Sequence, residues 1–261
     1  MPEIDKKYWG IRSIDIMPKK GRAVVIYGQA GRGKTTLLNT LKGNILLINI
    51  DCGEQVLNDN TGYNQFDICP LVSKKLKDPA DSINKLESFV DYLITQETLP
   101  WDYIAVDNIS EIQDAYLESL GSARGKKYPE QLIYRDTGIE MLRILKKMRN
   151  LTYKGPDVIY IAWEDTNKIE DFGGEIQSEK APLIMGKTQL KVSGLVDFIM
   201  AMRVDKKGNR YLQLDADHKY LAKKREEPGR TYPSIIECPK DCLTTLQDFF
   251  DQIHGRVKNE P

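Results

Sequence analysis

Residues Ala23–Leu38 read AVVIYGQAGRGKTTLL. An apolar run, Ala23-Val24-Val25-Ile26, stops at Tyr27-Gly28. Gly28-x-x-x-x-Gly33-Lys34-Thr35 follows, and Thr36-Leu37-Leu38 open a helix. A buried strand, a glycine-rich turn and a helix, in that order, are the setting a phosphate-binding loop requires. Glycine at positions 28, 31 and 33 admits backbone angles closed to other residues, so that successive N–H groups can converge on phosphate oxygens. The positive end of the helix beginning near Lys34 adds to that field. Lys34 is placed to reach β- and γ-phosphates, and the Thr35 hydroxyl to ligate Mg²⁺.

Outward from this stretch, a strand-and-helix rhythm continues. The phosphate-loop helix is expected over about Lys34–Lys42, with Gly43 as its stop. Asn44–Ile50 (NILLINI) is a nearly continuous apolar run of the kind found in a strand covered on both faces, and it ends in Asp51. Phe66–Leu71 is a weaker strand. From Asp81, apolar residues through Ile94 fall at helical spacing. Asp102–Val106 is a strand with Asp107 at its carboxyl end, and Ser110-Glu111-Ile112-Gln113 has the spacing of a capping box. A breaker-rich basic segment, Gly121–Glu130, precedes a helix with Ile139, Leu142, Leu145 and Met148 on one face. Asp157–Trp163 (DVIYIAW) is a further strand reaching Glu164.

Strands alternating with helices indicate an α/β domain with a central, mostly parallel sheet and helices on both faces. Ligands of such sheets bind beyond the carboxyl ends of the strands, where Gly28, Asp51, Asp107 and Glu164 all fall. Past Asp165 the texture changes. Asn167–Lys191 reads as a long polar loop broken by Gly173-Gly174 and Pro182. Two strand-like runs then flank the turn Asp205–Arg210, Tyr220–Ala222 reads as the end of a strand, and Leu243–Ile253 makes a final helix, so the C-terminal part forms an antiparallel extension. The organisation expected is a leader over residues 1–20, carrying Trp9, Ile11, Ile14 and Ile16, a domain over 21–240, and a C-terminal helix and tail over 241–261.

Composition narrows the function classes. The 261 residues carry 38 Lys+Arg and 38 Asp+Glu, so no global field recruits nucleic acid, and any such contact must use local basic clusters. Four cysteines at this length indicate free thiols rather than a disulfide framework, and Cys238-x-x-x-Cys242 lacks a second Cys/His pair beside it. No run is long and apolar enough for a membrane span, and a reducing cytoplasm fits best.

Several groups can carry chemistry. Asp107, ending the strand expected beside the phosphate loop, is a second metal anchor opposite Thr35. Phosphoryl transfer to water needs a group that orients or deprotonates the water; Asp51 and Glu54 compete for that role, and Asp51 ranks first because it stands at the strand end. Glu164 is placed to sense the terminal phosphate through water. Lys223, Lys224 and Arg225 read either as a cation pair reaching the phosphate of a neighbouring subunit or as a solvated charge run, since Glu226 and Glu227 follow. Cations and aromatics for holding a single strand occur in Gly121–Glu130 (Arg124, Lys126, Lys127, Tyr128) and in Asn167–Lys191 (Lys168, Phe172, Lys180, Lys187, Lys191).

Four segments, VVIYGQAGRGKTTLL, LLINIDCGEQVL, YIAVDNISEIQDAYL, and the C-terminal half from APLIMGKTQLKVSGLVDFIM through YLAKKREEPGR, resemble the RecA-like P-loop ATPases. Within them, they resemble the compact phage-encoded group with an AAA-type domain linked to single-strand annealing and recombination. The resemblance implies ATP and Mg²⁺ bound between subunits of a ring or filament, with single-stranded DNA as cofactor. It implies that Gly28, Gln29, Ala30, Gly31, Arg32, Gly33, Lys34, Thr35 and Thr36 form the phosphate loop and that Asp107 coordinates metal. Asp51 stands where the group usually has a catalytic glutamate. Glu164 would couple nucleotide to the DNA loop, and Lys223 and Arg225 would act across the interface. A nucleotide-gated loader or scaffold that remodels a partner helicase is a second reading, and a small-molecule P-loop kinase a third; a single-strand binding protein is a further partner to expect.

Overall fold

The computed structural model of the chain describes residues 20–58, 64–72, 79–125, 130–170, 176–227, 229–239 and 242–256. The expected N-terminal leader lies outside them except for Lys20, as do Lys126, Lys127, Tyr128, Phe172, Gly173 and Gly174. Every residue of β1 (Ala23–Gly28) is buried, as a strand covered on both faces requires. It pairs in parallel with β5 (Asp157–Glu170) on one side and β7 (Phe198–Val204) on the other. Outside β5 lie β4 (Tyr103–Asp107), β2 (Gly43–Asn49) and β3 (Asn64–Pro70), all parallel. Outside β7 the sheet becomes antiparallel through β8 (Arg210–Gln213) and β10 (Ile235–Glu237), while β9 (Lys223–Lys224) pairs with the start of β7. The order β10-β8-β7-β1-β5-β4-β2-β3 is the expected parallel sheet with an antiparallel extension.

Because side chains alternate across a strand, the core divides in two. Val25, Tyr27, Ile48, Val106 and Tyr160 face α2 (Pro79–Thr95), α3 (Ile109–Ala123) and α4 (Gln131–Asn150). Val24, Ile26, Leu47, Ala105 and Ile161 face the short α1 (Lys34–Leu37) and α6 (Thr245–His254). There Phe249 meets Phe198 edge to face at 5.2 Å between centroids, and Phe250 packs on Tyr103 at 5.2 Å, geometries that add to the area buried. The pairing register places Asn49 beside Asp107 and Gly28 beside Trp163. The carboxyl ends of β1, β2 and β4 therefore form one edge. Among the described residues no helix is long and apolar enough to cross a membrane.

Six local expectations are corrected. β4, expected beside the strand that carries the phosphate loop, is separated from β1 by β5. The segment read as a loop over 167–191 is the outer half of β5 paired with β6 (Ile176–Pro182), followed by α5 (Gly186–Leu195); a two-stranded ribbon outside the main sheet has polar faces and so no apolar signal. Glu164 consequently does not end its strand. Asn108, not Ser110, caps α3, accepting from the Glu111 N–H at 2.8 Å; Ser110 lies within the helix and donates to the Leu183 carbonyl. Ile139 is exposed, and α4 buries Ile133, Met141, Ile144, Leu145 and Met148 instead. Tyr220–Ala222 precedes a strand rather than ending one.

Candidate nucleotide site

The loop after β1 is shaped by its glycines. A Cβ on Gly28 would lie 2.8 Å from the Met202 carbonyl oxygen, so glycine is what allows β1 to close on β7 there. Gly31 and Gly33 have φ of 72° and 93°, in the left-handed region that favours glycine. The buried Lys34 ammonium turns back and donates to the carbonyls of Gly28 at 2.7 Å and Gln29 at 2.9 Å. Burial lowers its pKa, and the charges of Asp107, Asp51 and Glu164 oppose that shift. Arg32 donates to the Gln29 side chain, and Gln29, Ala30 and Thr36 are exposed.

Asp107, 1% exposed at the end of β4, accepts a 2.5 Å hydrogen bond from the Thr35 hydroxyl. Burial raises its pKa to about 6; the Thr35 bond and Lys34 pull the other way, and the Asp51 charge adds to the rise. A Cβ built on Gly53 would stand 3.6 Å from Thr35 Oγ1 and 3.7 Å from Asp107 Oδ2, in ordinary contact with both, so the glycine leaves room for a further atom beside both oxygens. Two hard oxygen donors beside a space of that kind suit a small divalent cation. Thr35 and Asp107 are thus the residues that would hold Mg²⁺.

The two candidates for activating water are held differently. Asp51 is exposed, and its Oδ2 accepts from the Asn108 amide at 2.9 Å. It lines a cleft of about 270 Å³ together with Lys34, Thr35, Gly53 and Asp107. Glu54 follows Cys52, whose φ of 53° turns the chain, and its carboxylate is bonded to the buried Asn49 amide, away from the lining of that cleft. Glu164 forms an ion pair with Lys180 of β6 at 2.5 Å and is approached by the Gln29 amide at 3.4 Å.

Lys223 and Arg225 lie elsewhere. β9 pairs with Phe198 and Ile199, at the end of β7 opposite the phosphate loop. Lys223 donates to the carbonyls of Ser193 and Val196, and Arg225 pairs with Asp197 at 2.8 Å while remaining half exposed. The basic residues offered for a polynucleotide are also dispersed. Arg124 pairs with Asp136 and Lys180 with Glu164, whereas Lys187 and Lys191 stand exposed on α5.

Two residues of this edge escape a reading of the sequence. Asn108 carries the only signal, a helix-cap side chain directly after a strand-ending acid. Arg210 carries none, because it approaches Gly33 only through the pairing of β8 with β7. The family model described as AAA domain matches residues 20–226. No curated protein matches the chain.

Proposed function

Because the chain belongs to the AAA domain family, an AAA-type P-loop ATPase group, we propose that it binds ATP with Mg²⁺ at the Gly28–Thr36 loop and hydrolyses it, that a second copy of the chain completes the site, and that the cycle serves single-stranded DNA in recombination, annealing or replication. The observation that carries the hydrolytic part is the meeting of Lys34, Thr35, Asp51 and Asp107 around one cleft at the carboxyl edge of the sheet. In this reading Lys34 exchanges the carbonyls of Gly28 and Gln29 for phosphate oxygens. Asp51, fixed by Asn108, orients the attacking water and takes its proton. Mg²⁺, when bound, neutralises charge developing on the phosphates.

The intersubunit part is supported by position. Arg225 is half exposed at the sheet edge facing away from its own phosphate loop, so a phosphate it contacts belongs to another copy. Lys223 is committed to its own chain's carbonyls, which leaves Arg225 as the cation in trans. The DNA part rests on the resemblance and on the exposed Lys187 and Lys191.

Phosphate release measured across protein concentrations, with and without single-stranded DNA, tests the reading. Turnover per protomer should rise with both. Arg225→Ala and Asp107→Ala proteins, each inactive, should regain part of the activity when mixed, because one supplies the cation and the other the metal site. Full turnover by dilute protein without polynucleotide would refute both the shared site and the DNA role. Phosphate transfer to a nucleoside monophosphate would make the protein a kinase instead.

A further inference from the structure

We propose that Arg210 is a nucleotide-binding residue supplied in cis, gripping the phosphate nearest the nucleoside where the ligand leaves the loop between Gly33 and Thr36. This rests on the reading of the Gly28–Thr36 loop as the phosphate site. Arg210 opens β8 opposite Val204, the last residue of β7. Because β7 runs parallel to β1, that position returns to the same sheet edge as the phosphate loop. The Arg210 guanidinium lies over Gly33, with Nη1 only 2.7 Å from where a Cβ on that glycine would be.

Two clefts meet at this guanidinium. One, of about 270 Å³, holds Lys34, Thr35, Asp51 and Asp107. The other, of about 190 Å³, is lined by Thr36, Asn39, Pro239 and Leu243, and Gly33, Thr36 and Arg210 belong to both. A nucleotide with its terminal phosphates at Lys34 and Thr35 passes Arg210 on its way to the second cleft. A third and larger cleft, about 930 Å³, opens on the far side of Arg210 toward Lys207 and Glu237. It shares none of the phosphate-loop residues, so the ligand is placed in the smaller pair.

Charge supports the assignment. Arg203, Arg225, Arg143, Arg124 and Arg230 each pair with a carboxylate, whereas among the described residues no acid lies within 4.0 Å of Arg210, a state it shares with Arg32 and Arg149. Arg210 lines the first cleft together with Lys34, and the N–H groups of its guanidinium are not taken up by an acid there. A guanidinium satisfies phosphate oxygens with two parallel hydrogen bonds, which an ammonium cannot copy.

The test is equilibrium binding of fluorescent ATP and ADP to wild-type protein, Arg210→Ala, Arg210→Lys and Lys34→Ala, with a thermal melt of each. Arg210→Ala should weaken ATP and ADP alike by about 10- to 100-fold, the range for one charge-assisted hydrogen-bond group. Arg210→Lys should recover part of that loss, and both melts should stay near wild type. Unchanged affinity in Arg210→Ala, or a loss for ATP without one for ADP, overturns the assignment while leaving the phosphate loop standing. Failure of the wild-type protein to bind either nucleotide would instead remove the underlying reading. If Arg210→Ala does not fold, Arg210→Lys with wild-type affinity for both ligands refutes the two-bond contact.

Discussion

Asp107→Asn replaces a buried carboxylate with a neutral side chain of the same shape, and its consequence is calculable. Burial lifts the Asp107 pKa to about 6. Relative to an ordinary aspartate this makes the ionised form about 3 kcal/mol less favourable in the folded protein than in the unfolded chain. The native state keeps a proton that the unfolded chain has already lost, so stability falls as pH rises from about 4 through 6. Asparagine avoids that cost and its carbonyl can still accept from Thr35. In EDTA at pH 8, Asp107→Asn should therefore melt about 5–10 °C above wild type, from the scaling for a chain of this size. At pH 5 the gain should shrink to about half, because wild-type Asp107 is then mostly protonated when folded. Hydrolysis with Mg²⁺ should be lost in the same variant. A gain equal at both pH values, or a lower melting point at pH 8, would refute the argument from burial.

Three further changes test the architecture. Asn108→Ala removes the α3 cap and the hold on Asp51; denaturant titration should show a loss of about 1 kcal/mol, and turnover should fall far more than nucleotide affinity, whereas unchanged turnover would mean Asp51 needs no such support. Phe249→Ala empties the centre of the aromatic cluster under β7 and should cost about 3–5 kcal/mol in a urea titration; a cost below 1 kcal/mol would show that α6 is not held through this ring. Gly28→Ala forces a methyl to within 2.8 Å of the Met202 carbonyl, and the strain should lower stability by about 1–3 kcal/mol. An unchanged melting point would mean β1 and β7 can part at that point.

The central sheet is legible in the sequence because its strands are buried on both faces and so appear as unbroken apolar runs, as at Val24–Ile26, Ile45–Ile48 and Ile159–Ile161. The Gly28–Thr36 loop is legible because its glycines, two of them at positive φ, and Lys34 stand at a fixed spacing between a buried strand and a helix. Asp107 follows from its place after a strand. The ribbon formed by β5 and β6 is hidden, since neither strand needs an apolar face beyond Glu164. The face of α4 is misjudged at Ile139 because four apolar residues at near-helical spacing fit two adjacent stripes; packing against α2 and α3 decides between them. Arg210 is invisible because its proximity to Gly33 depends on a hairpin register and not on any local pattern.

The length of β5 has a consequence for the site. Residues 157–163 are locked between β1 and β4, and residues 164–170 continue as one strand into the ribbon with β6. Trp163, which lines the cleft beside the loop, and Glu164, whose carboxylate accepts from the Gln29 amide, are consecutive residues at the point where the sheet-bound half passes into the ribbon. The cleft and the ribbon thus share one uninterrupted strand.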